Sequence, residues 1–379
     1  GPRIDETQVT EYLPEGLKVE PRISMEEFER FQNEMDFLTS PKCQAGPSFQ
    51  PNICEWGFGS TMNSIVKPVM HAMQYGYCLK DPKGWDKYNC TSWTDVFAPV
   101  SVPSSFNSSD FSLPTKPSDP TTCAKTFSKT IHYNEDGQPK FFFEKDYHDC
   151  CMKYSHPEHG DDMVPDSLKN IGFFGSVSLI LHRFLRPSPR VLQRIEHEML
   201  NMGWPKDKPV LGLHFRAGDA CLEEEITLGR RCDNLAFYME QVDRVAGKYG
   251  IEHIYLATDS NAVLKQLDKY PQYTFLYIKE LGRGGLRNEV PIDDLLHSRR
   301  IDGCKEAEES LIDVYLLGNT QAFVGKFSSN IDRVAYSLSF AHARAHVPHI
   351  SLDNTWCFDY GIKSRPDGIN SANHDMFYC

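Results

Sequence analysis

Predicted strands and helices alternate along the second half of the chain, and this alternation constrains the fold more than any other feature. Short apolar runs that indicate buried strands lie at 209–215, 253–258, 273–278 and 322–326. Helical patterns lie at 234–248, 262–267, 306–317 and 328–340. Because parallel strands need a crossover between them, usually a helix, this order predicts an α/β fold with a doubly wound parallel sheet.

The first half of the chain carries weaker patterns. Apolar residues at near-helical spacing predict a short amphipathic helix at 25–37. A turn containing Gly57 and Gly59 precedes an apolar helix at 65–75, and such a turn can present backbone N–H groups to an anion. Residues 81–144 lack helical periodicity, and we expect a long loop excursion tied by disulfides.

The chain contains twelve cysteines and no Cys-x-x-Cys pair. This pattern predicts disulfides, since zinc ligands usually come in closely spaced pairs. The close histidine pair His156 and His159 has no cysteine at ligand spacing, so we expect it in a solvated loop. Glycosylation sequons begin at Asn89 and Asn107 and, together with the cysteines, favour the secretory pathway.

The formal net charge of −12 opposes binding to nucleic acid or to anionic lipid. An anionic ligand would therefore need a local basic pocket. The chain has no apolar run of the roughly eighteen residues needed to span a bilayer, and it begins at Gly1-Pro2 without a signal peptide. We expect a luminal fragment whose anchor or signal has been removed, with a natural processed terminus as the alternative.

Polar clusters follow three of the predicted strands, at 214–219, 259–260 and 327–330. Because ligands of doubly wound sheets bind beyond the carboxyl ends of the strands, we expect these clusters to share one cleft. The planar guanidinium of Arg216 suits a phosphate, although a salt bridge to Asp219 is the alternative.

Two further features could serve either a ligand or the fold itself. Ser328 and Ser329 open a helix whose N-terminus favours an anion, although plain N-capping explains them equally well. Asp313 lies on a helix face that carries apolar residues, where a carboxylate needs hydrogen-bond donors. A ligand amide or a neighbouring arginine would satisfy it.

Three motifs resemble, in order and spacing, those of the α1,6-fucosyltransferases that modify the N-glycan core. They are His214-Phe-Arg-Ala-Gly-Asp219, Ile254-Tyr-Leu-Ala-Thr-Asp259 and the segment 311–336. Arg183-Phe-Leu-Arg-Pro187 and Gly57-Phe-Gly59 are also similar to their counterparts. The resemblance covers residues 56–340 and is weakest in the loop excursion.

This resemblance implies a GT-B-like architecture of two facing Rossmann-like domains and an inverting transfer from GDP-fucose that needs no metal. The absence of an Asp-x-Asp tripeptide agrees with metal independence. We expect four regions: an N-terminal extension with a short helix (1–45), an N-terminal α/β domain (46–185), a C-terminal Rossmann-like nucleotide-sugar-binding domain (186–345), and a tail that packs back on the fold (346–379).

The resemblance also implies roles for individual residues. Arg216 would hold the β-phosphate of the donor, and His214 and Asp313 would contact the guanosine. Gly57 and Gly59 would let backbone approach the diphosphate. The other donor-binding residues implied by the motifs are Asp219, Asp259, Ser328 and Ser329.

The general base implied by the resemblance is Glu224, ten positions beyond the motif histidine. A carboxylate there could accept the proton of the attacking sugar hydroxyl. Its neighbours Glu223 and Glu225 are also acidic, and such a run is often a solvated turn. Ala217 and Ala220 replace basic residues of the family motif.

An apparent insertion lies beside this base, between Cys221 and Cys232. We expect these two cysteines to be joined, which would close a short loop and brace Glu224.

The predicted function is transfer of fucose to a glycan, with the N-glycan core GlcNAc as acceptor, in the Golgi lumen. The partners would be the nucleotide-sugar donor and the acceptor, with no nucleic acid and no membrane contact except through an anchor. The alternatives are a protein O-fucosyltransferase, a transferase of another nucleotide sugar, and a non-catalytic protein that binds nucleotide sugars or glycans.

Overall fold

A computed structural model describes residues 9–18, 20–41, 43, 48–49, 51, 57–82, 87–101, 132–133, 139–140, 164–218, 221, 232–279, 290–353 and 355–356. Several residues discussed above lie outside the described part of the chain. They are Asn107, His156, His159, Asp219, Ala220, Glu223, Glu224 and Glu225.

The described strands are β1 (Thr10–Tyr12), β2 (Ser48–Phe49), β3 (Cys78–Leu79), β4 (His132–Tyr133), β5 (Pro139–Lys140), β6 (Val210–Phe215), β7 (His253–Thr258), β8 (Thr274–Leu276), β9 (Ala322–Gly325) and β10 (His349–Ser351). The described α-helices are α1 (Met25–Leu38), α2 (Phe58–Tyr75), α3 (Gly172–Phe184), α4 (Pro189–Met202), α5 (Leu235–Tyr249), α6 (Asn261–Leu264), α7 (Ile292–His297), α8 (Gly303–Gly318) and α9 (Asn330–Ala343).

The central sheet has the strand order β1-β10-β9-β6-β7-β8. All neighbouring strands are parallel except β1, which pairs antiparallel with β10 at the edge. The α/β fold with a parallel sheet is therefore confirmed. The four predicted strands match β6, β7, β8 and β9 to within two residues at each end, because short buried apolar runs mark them clearly.

Helices cover both faces of the sheet, as a doubly wound fold requires. Leu211, Leu213 and Phe215 of β6 pack in one apolar cluster with the buried side of α5. Gly212 and His214 alternate to the opposite face, toward α8 and α9. A Cβ on Gly212 would lie 2.6 Å from Oγ1 of Thr320, so the close approach of this segment requires glycine.

The strand order reverses direction between β6 and β9. From β6 the chain adds β7 and β8 on one side, and it then adds β9 and β10 on the other. Such a reversal leaves a crevice at the carboxyl ends of the two central strands, since their following loops diverge. The crevice between β6 and β9 is the position where this fold can accept a ligand.

The N-terminal half contributes mainly helices among the described residues. Helices α2 and α3 pack against α9, and β2 pairs with β3 in parallel. The expected N-terminal extension and C-terminal tail also join the main sheet, because β1 and β10 form its edge.

Helix α2 begins at Phe58, seven residues before the predicted helix start. The predicted glycine turn is therefore partly helical: Gly57 is the N-cap and Gly59 lies in the first turn. Glycine, serine, threonine and asparagine dominate this stretch and have modest helix propensity, so the sequence alone predicted a turn. Burial of Thr61, Met62 and their neighbours against the rest of the fold holds the segment helical.

Three disulfides join described cysteines: Cys43–Cys78, Cys90–Cys304 and Cys221–Cys232. The predicted bond between Cys221 and Cys232 is thus confirmed. None of the described helices combines the length and the apolar character that crossing a membrane would need.

Candidate donor-binding site

The loop after β6 is organised by Asp259, which follows β7. One carboxylate oxygen of Asp259 accepts hydrogen bonds from the backbone N–H groups of Ala217 and Gly218, at 2.8 and 3.0 Å. These bonds fix the backbone immediately after Arg216. The structure therefore brings the first two motif clusters together, and it gives Asp259 a positioning role for the loop.

Arg216 emerges at the end of β6, where it is half-buried. It lies close enough to His214 for its charge to act on that imidazole. The expected alternative partner, Asp219, lies outside the described residues. Because Arg216 directly follows Phe215, the last residue of β6, its backbone lies at the carboxyl end of that strand, beside the crevice between β6 and β9.

Ser329 is the N-cap of α9, and its hydroxyl accepts a hydrogen bond from the backbone N–H of Asp332 at 3.4 Å. It makes no other side-chain hydrogen bond with a described residue, so its hydroxyl proton remains available to an incoming acceptor. The first N–H groups of α9 and its dipole also favour an anion at this end.

Ser328 differs from Ser329 in what it contacts. Its hydroxyl donates to Asp353, and its backbone N–H lies 3.4 Å from the same carboxylate. The hydroxyl proton of Ser328 is thus already donated to Asp353. Of the two serines, Ser329 is the better placed to donate to a ligand, and Ser328 stabilises the turn between β9 and α9.

Asp353 was not anticipated from the sequence. It is buried, and it also accepts a hydrogen bond from Ser351 at 3.1 Å, while Ser351 accepts one from the backbone N–H of Phe327 at 3.0 Å. This network ties the turn between β9 and α9 to the end of β10. No motif marks Asp353, because its role arises only when β10 joins the sheet.

A second unanticipated carboxylate, Asp332, lies in the first turn of α9. Its Oδ2 is 2.6 Å from Nδ1 of His214, and its Oδ1 accepts the backbone N–H of Lys326 at 3.1 Å. Burial lowers the pKa of His214, but the charges of Asp332 and Asp259 outweigh that effect, so the pKa is raised overall. In the sequence, Asp332 is only an acidic residue near the start of a predicted helix. Such residues are common, so this position did not indicate a contact with His214.

A buried ion pair lies beside this turn. Nζ of Lys326 is 2.6 Å from Asp233 and lies 5.5 Å from the ring centre of Tyr238. Asp233 directly follows Cys232, so Cys232, one end of the Cys221–Cys232 disulfide, lies near the β9–α9 turn. The proposed base Glu224 belongs to this loop but lies outside the described residues.

The glycines expected near the diphosphate have different surroundings. A Cβ on Gly59 would lie 2.6 Å from the carbonyl carbon of Asn330, so this glycine is explained by the packing of α2 on α9. No atom of the described residues lies within 4 Å of a Cβ built on Gly57. Among the described residues, close packing thus accounts for Gly59 and not for Gly57.

Asp313 lies in the middle of α8, where its carboxylate accepts a hydrogen bond of 2.5 Å from the Tyr255 hydroxyl. Tyr255 lies in the middle of β7 rather than at its carboxyl end. The sequence left open whether a ligand amide or an arginine would donate to Asp313. In the structure, a tyrosine hydroxyl donates to it.

Among the described residues, the one group with metal-ligand geometry joins Cys90, Asp95 and Cys304. Its two cysteines are bonded to each other and cannot offer thiolates. This group therefore gives no metal centre.

The chain is similar to known proteins over most of its length. Residues 168–356 match the family model described as "Alpha-(1,6)-fucosyltransferase N- and catalytic domains". An α-(1,6)-fucosyltransferase of Drosophila melanogaster is 24% identical over 293 residues, which are 74% of this chain and 42% of the fly protein. The chain thus spans less than half the length of that relative.

Two solved structures are similar to the fold at lower identity. The NodZ α-1,6-fucosyltransferase soaked with GDP-fucose is 15% identical, with a TM-score of 0.44, covering 76% of this chain and 93% of that one. A mutant of Arabidopsis thaliana FUT1 in complex with GDP is 13% identical, with a TM-score of 0.42, covering 84% of this chain and 78% of that one.

Proposed function

Because the chain belongs to the α-(1,6)-fucosyltransferase-like family of glycosyltransferases, we propose that it transfers fucose from GDP-fucose to a glycan with inversion at the anomeric carbon. The observation that carries this proposal is the crevice between β6 and β9. Arg216, His214 and the N-terminus of α9 converge there, in a chain whose overall charge is negative.

The donor diphosphate would lie across this crevice. Arg216 would form paired hydrogen bonds with phosphate oxygens, and Ser329 would donate its hydroxyl proton to another. The N–H groups at the start of α9 would add a fixed dipole. These groups would stabilise the negative charge that develops on GDP as it leaves. They would already be in position, so no rearrangement would be needed in the transition state.

In the reaction, the acceptor hydroxyl attacks the anomeric carbon from the side opposite the diphosphate. The bond from that carbon to the phosphate oxygen breaks, and GDP departs with the electron pair. The hydroxyl proton passes to a carboxylate, which we assign to Glu224 from the motif spacing. The Cys221–Cys232 disulfide restrains the loop that carries this residue.

Metal independence is part of the proposal. The cationic side chains and the helix N-terminus supply the charge stabilisation that a divalent cation provides in other transferases. The N-glycan core GlcNAc as acceptor and the Golgi lumen as location also remain proposals, which are supported by the motif resemblance and by the disulfides.

A donor panel followed by an acceptor panel tests this function. We expect slow hydrolysis of GDP-fucose, little of other nucleotide sugars, and transfer to N-glycans with an exposed core GlcNAc. NMR of the product should show that the anomeric configuration is inverted. Preference for another donor sugar, or transfer to a peptide hydroxyl, would support the alternative transferases. GDP binding without hydrolysis or transfer would indicate a binding protein.

A further inference from the structure

His214 and Asp332 form a buried pair across the crevice between β6 and β9. Nδ1 of His214 lies 2.6 Å from Oδ2 of Asp332, and the two residues expose only 9% and 1% of their surface. The two residues, on β6 and α9, are 118 positions apart in sequence. The second ring nitrogen, Nε2, makes no hydrogen bond to a described residue.

The carboxylate of Asp332 is held by its surroundings. Its Oδ1 accepts the backbone N–H of Lys326 at 3.1 Å, and a Cβ on Gly325 would lie only 2.0 Å from that oxygen. The backbone N–H of Asp332 is itself bound by the N-cap Ser329. The hydrogen bond to Lys326 and the close approach of Gly325 thus hold the Asp332 carboxylate with Oδ2 facing the imidazole.

We propose that Asp332 is a positioning residue for donor binding, which fixes the ring of His214 and keeps it doubly protonated so that Nε2 donates to an oxygen of the guanosine diphosphate. This inference rests on the proposed function. With Nδ1–H directed at Asp332, a neutral ring would carry a bare Nε2, which accepts hydrogen bonds. Only the protonated ring can donate from both nitrogens.

The charges around His214 favour the protonated ring. Burial opposes it, while Asp332 on α9 and Asp259 after β7 favour it, and Arg216 after β6 opposes it more weakly. The ammonium of Lys326, at the end of β9, is paired with Asp233. Among the described groups the two carboxylates prevail, and the pKa of His214 is raised above its ordinary value.

The test combines NMR of labelled histidine with GDP binding measured by calorimetry between about pH 5.5 and pH 8.5. In Asp332→Asn, we expect His214 to lose its proton at lower pH than in the unaltered protein. GDP affinity should fall about tenfold at the alkaline end for each unit of lost pKa, and it should recover on acidification. His214→Gln should weaken GDP binding at every pH. When the two substitutions are combined, Asp332→Asn should cause almost no further loss of GDP affinity.

A matched control is Asp243→Asn on α5, where the carboxylate accepts a hydrogen bond from the Tyr273 hydroxyl at 2.6 Å. It should leave both the His214 titration and GDP binding unchanged. An unchanged titration in Asp332→Asn would overturn the proposal, as would a loss of affinity by the same factor at all pH values. If Asp332→Asn does not fold, NMR of the unaltered protein still tests the proposal. A His214 that titrates below about pH 6.5 in that protein would overturn it.

The failure of the proposed function would look different. If the unaltered protein binds no GDP at any pH, the donor assignment is wrong. The His214 titration in the two proteins then still reports whether Asp332 holds the proton on the ring.

Discussion

The backbone of Gly59 lies directly against Asn330, so closely that a Cβ on the glycine would come within 2.6 Å of the asparagine carbonyl carbon. The Asn330 side chain also donates to Ser60 and accepts from Asn63 at 3.3 Å. The first turn of α2 is thereby joined to the first turn of α9, which forms one side of the crevice.

Gly59→Ala should therefore destabilise the protein and weaken donor binding together. Overpacking of this kind costs about 1–3 kcal/mol of unfolding free energy. Chemical denaturation and GDP calorimetry measure the two effects. Gly57→Ala is the control, since its Cβ would meet no described atom within 4 Å, and its unfolding free energy should change by less than about 1 kcal/mol. Equal losses of unfolding free energy in the two variants would contradict the packing role of Gly59.

Arg216→Lys should reduce GDP affinity about tenfold to a hundredfold, because a single ammonium cannot reproduce the paired hydrogen bonds of a guanidinium. The melting temperature should change little. The control is Arg190→Lys on α4, whose largely exposed side chain pairs with Glu308, and it should retain full affinity. Unfolding of the Arg216 variant, or unchanged affinity, would mean that Arg216 is a structural residue.

Ser329→Asp should separate capping from phosphate binding. Aspartate caps helices as well as serine, so the unfolding free energy should change by only about 0.5 kcal/mol. Its charge, however, would repel the diphosphate, and GDP affinity should fall at least about tenfold. Ser24→Asp at the N-cap of α1 carries the same change away from the crevice and should leave binding intact. Tight GDP binding by the Ser329 variant would place the phosphates elsewhere.

Glu224→Gln should keep GDP affinity but slow transfer about a hundredfold or more, because the positioned proton acceptor is lost. Glu223→Gln and Glu225→Gln serve as neighbouring controls and should have much smaller effects. Single-turnover transfer to a verified glycan acceptor is the measurement. Near-normal rates in all three variants would show that another group is the base.

Removal of metal ions should leave transfer unchanged. The protein would be dialysed against EDTA, and its rate compared before and after addition of Mg²⁺ or Mn²⁺. We expect no difference, since in the proposed function Arg216 and the N-terminus of α9 would face the departing diphosphate. Activity that disappears with the chelator and returns with a metal would refute metal independence.

The sequence predicted the C-terminal sheet well because its strands are short, buried and apolar. It also predicted that Asp259 would lie beside the loop after β6, since residues that follow parallel strands share one edge of the sheet. The contacts within that edge depend on tertiary structure. Asp259 binds backbone N–H groups 41 and 42 residues away, which no local pattern reveals.

The carboxylates Asp332 and Asp353 could not be recognised for a related reason. Asp332 has the local sequence of an ordinary acid in a first helical turn, and its contact with His214 depends on how α9 packs over β6. Asp353 follows β10, a strand of three residues that is too short to give a clear signal. Gly59 was predicted in a turn because helix propensity is low there, and packing on α9 overrides that propensity.

Strand β1 shields the edge of the main sheet, because its residues 10–12 pair with 349–351 of β10. A fragment starting after Tyr12 would leave the outer N–H and C=O groups of β10 without those partners. Exposed strand edges of this kind recruit other chains, so the shortened protein should self-associate although its crevice is untouched. Residues 10–12 thus protect the β10 edge from pairing with another chain.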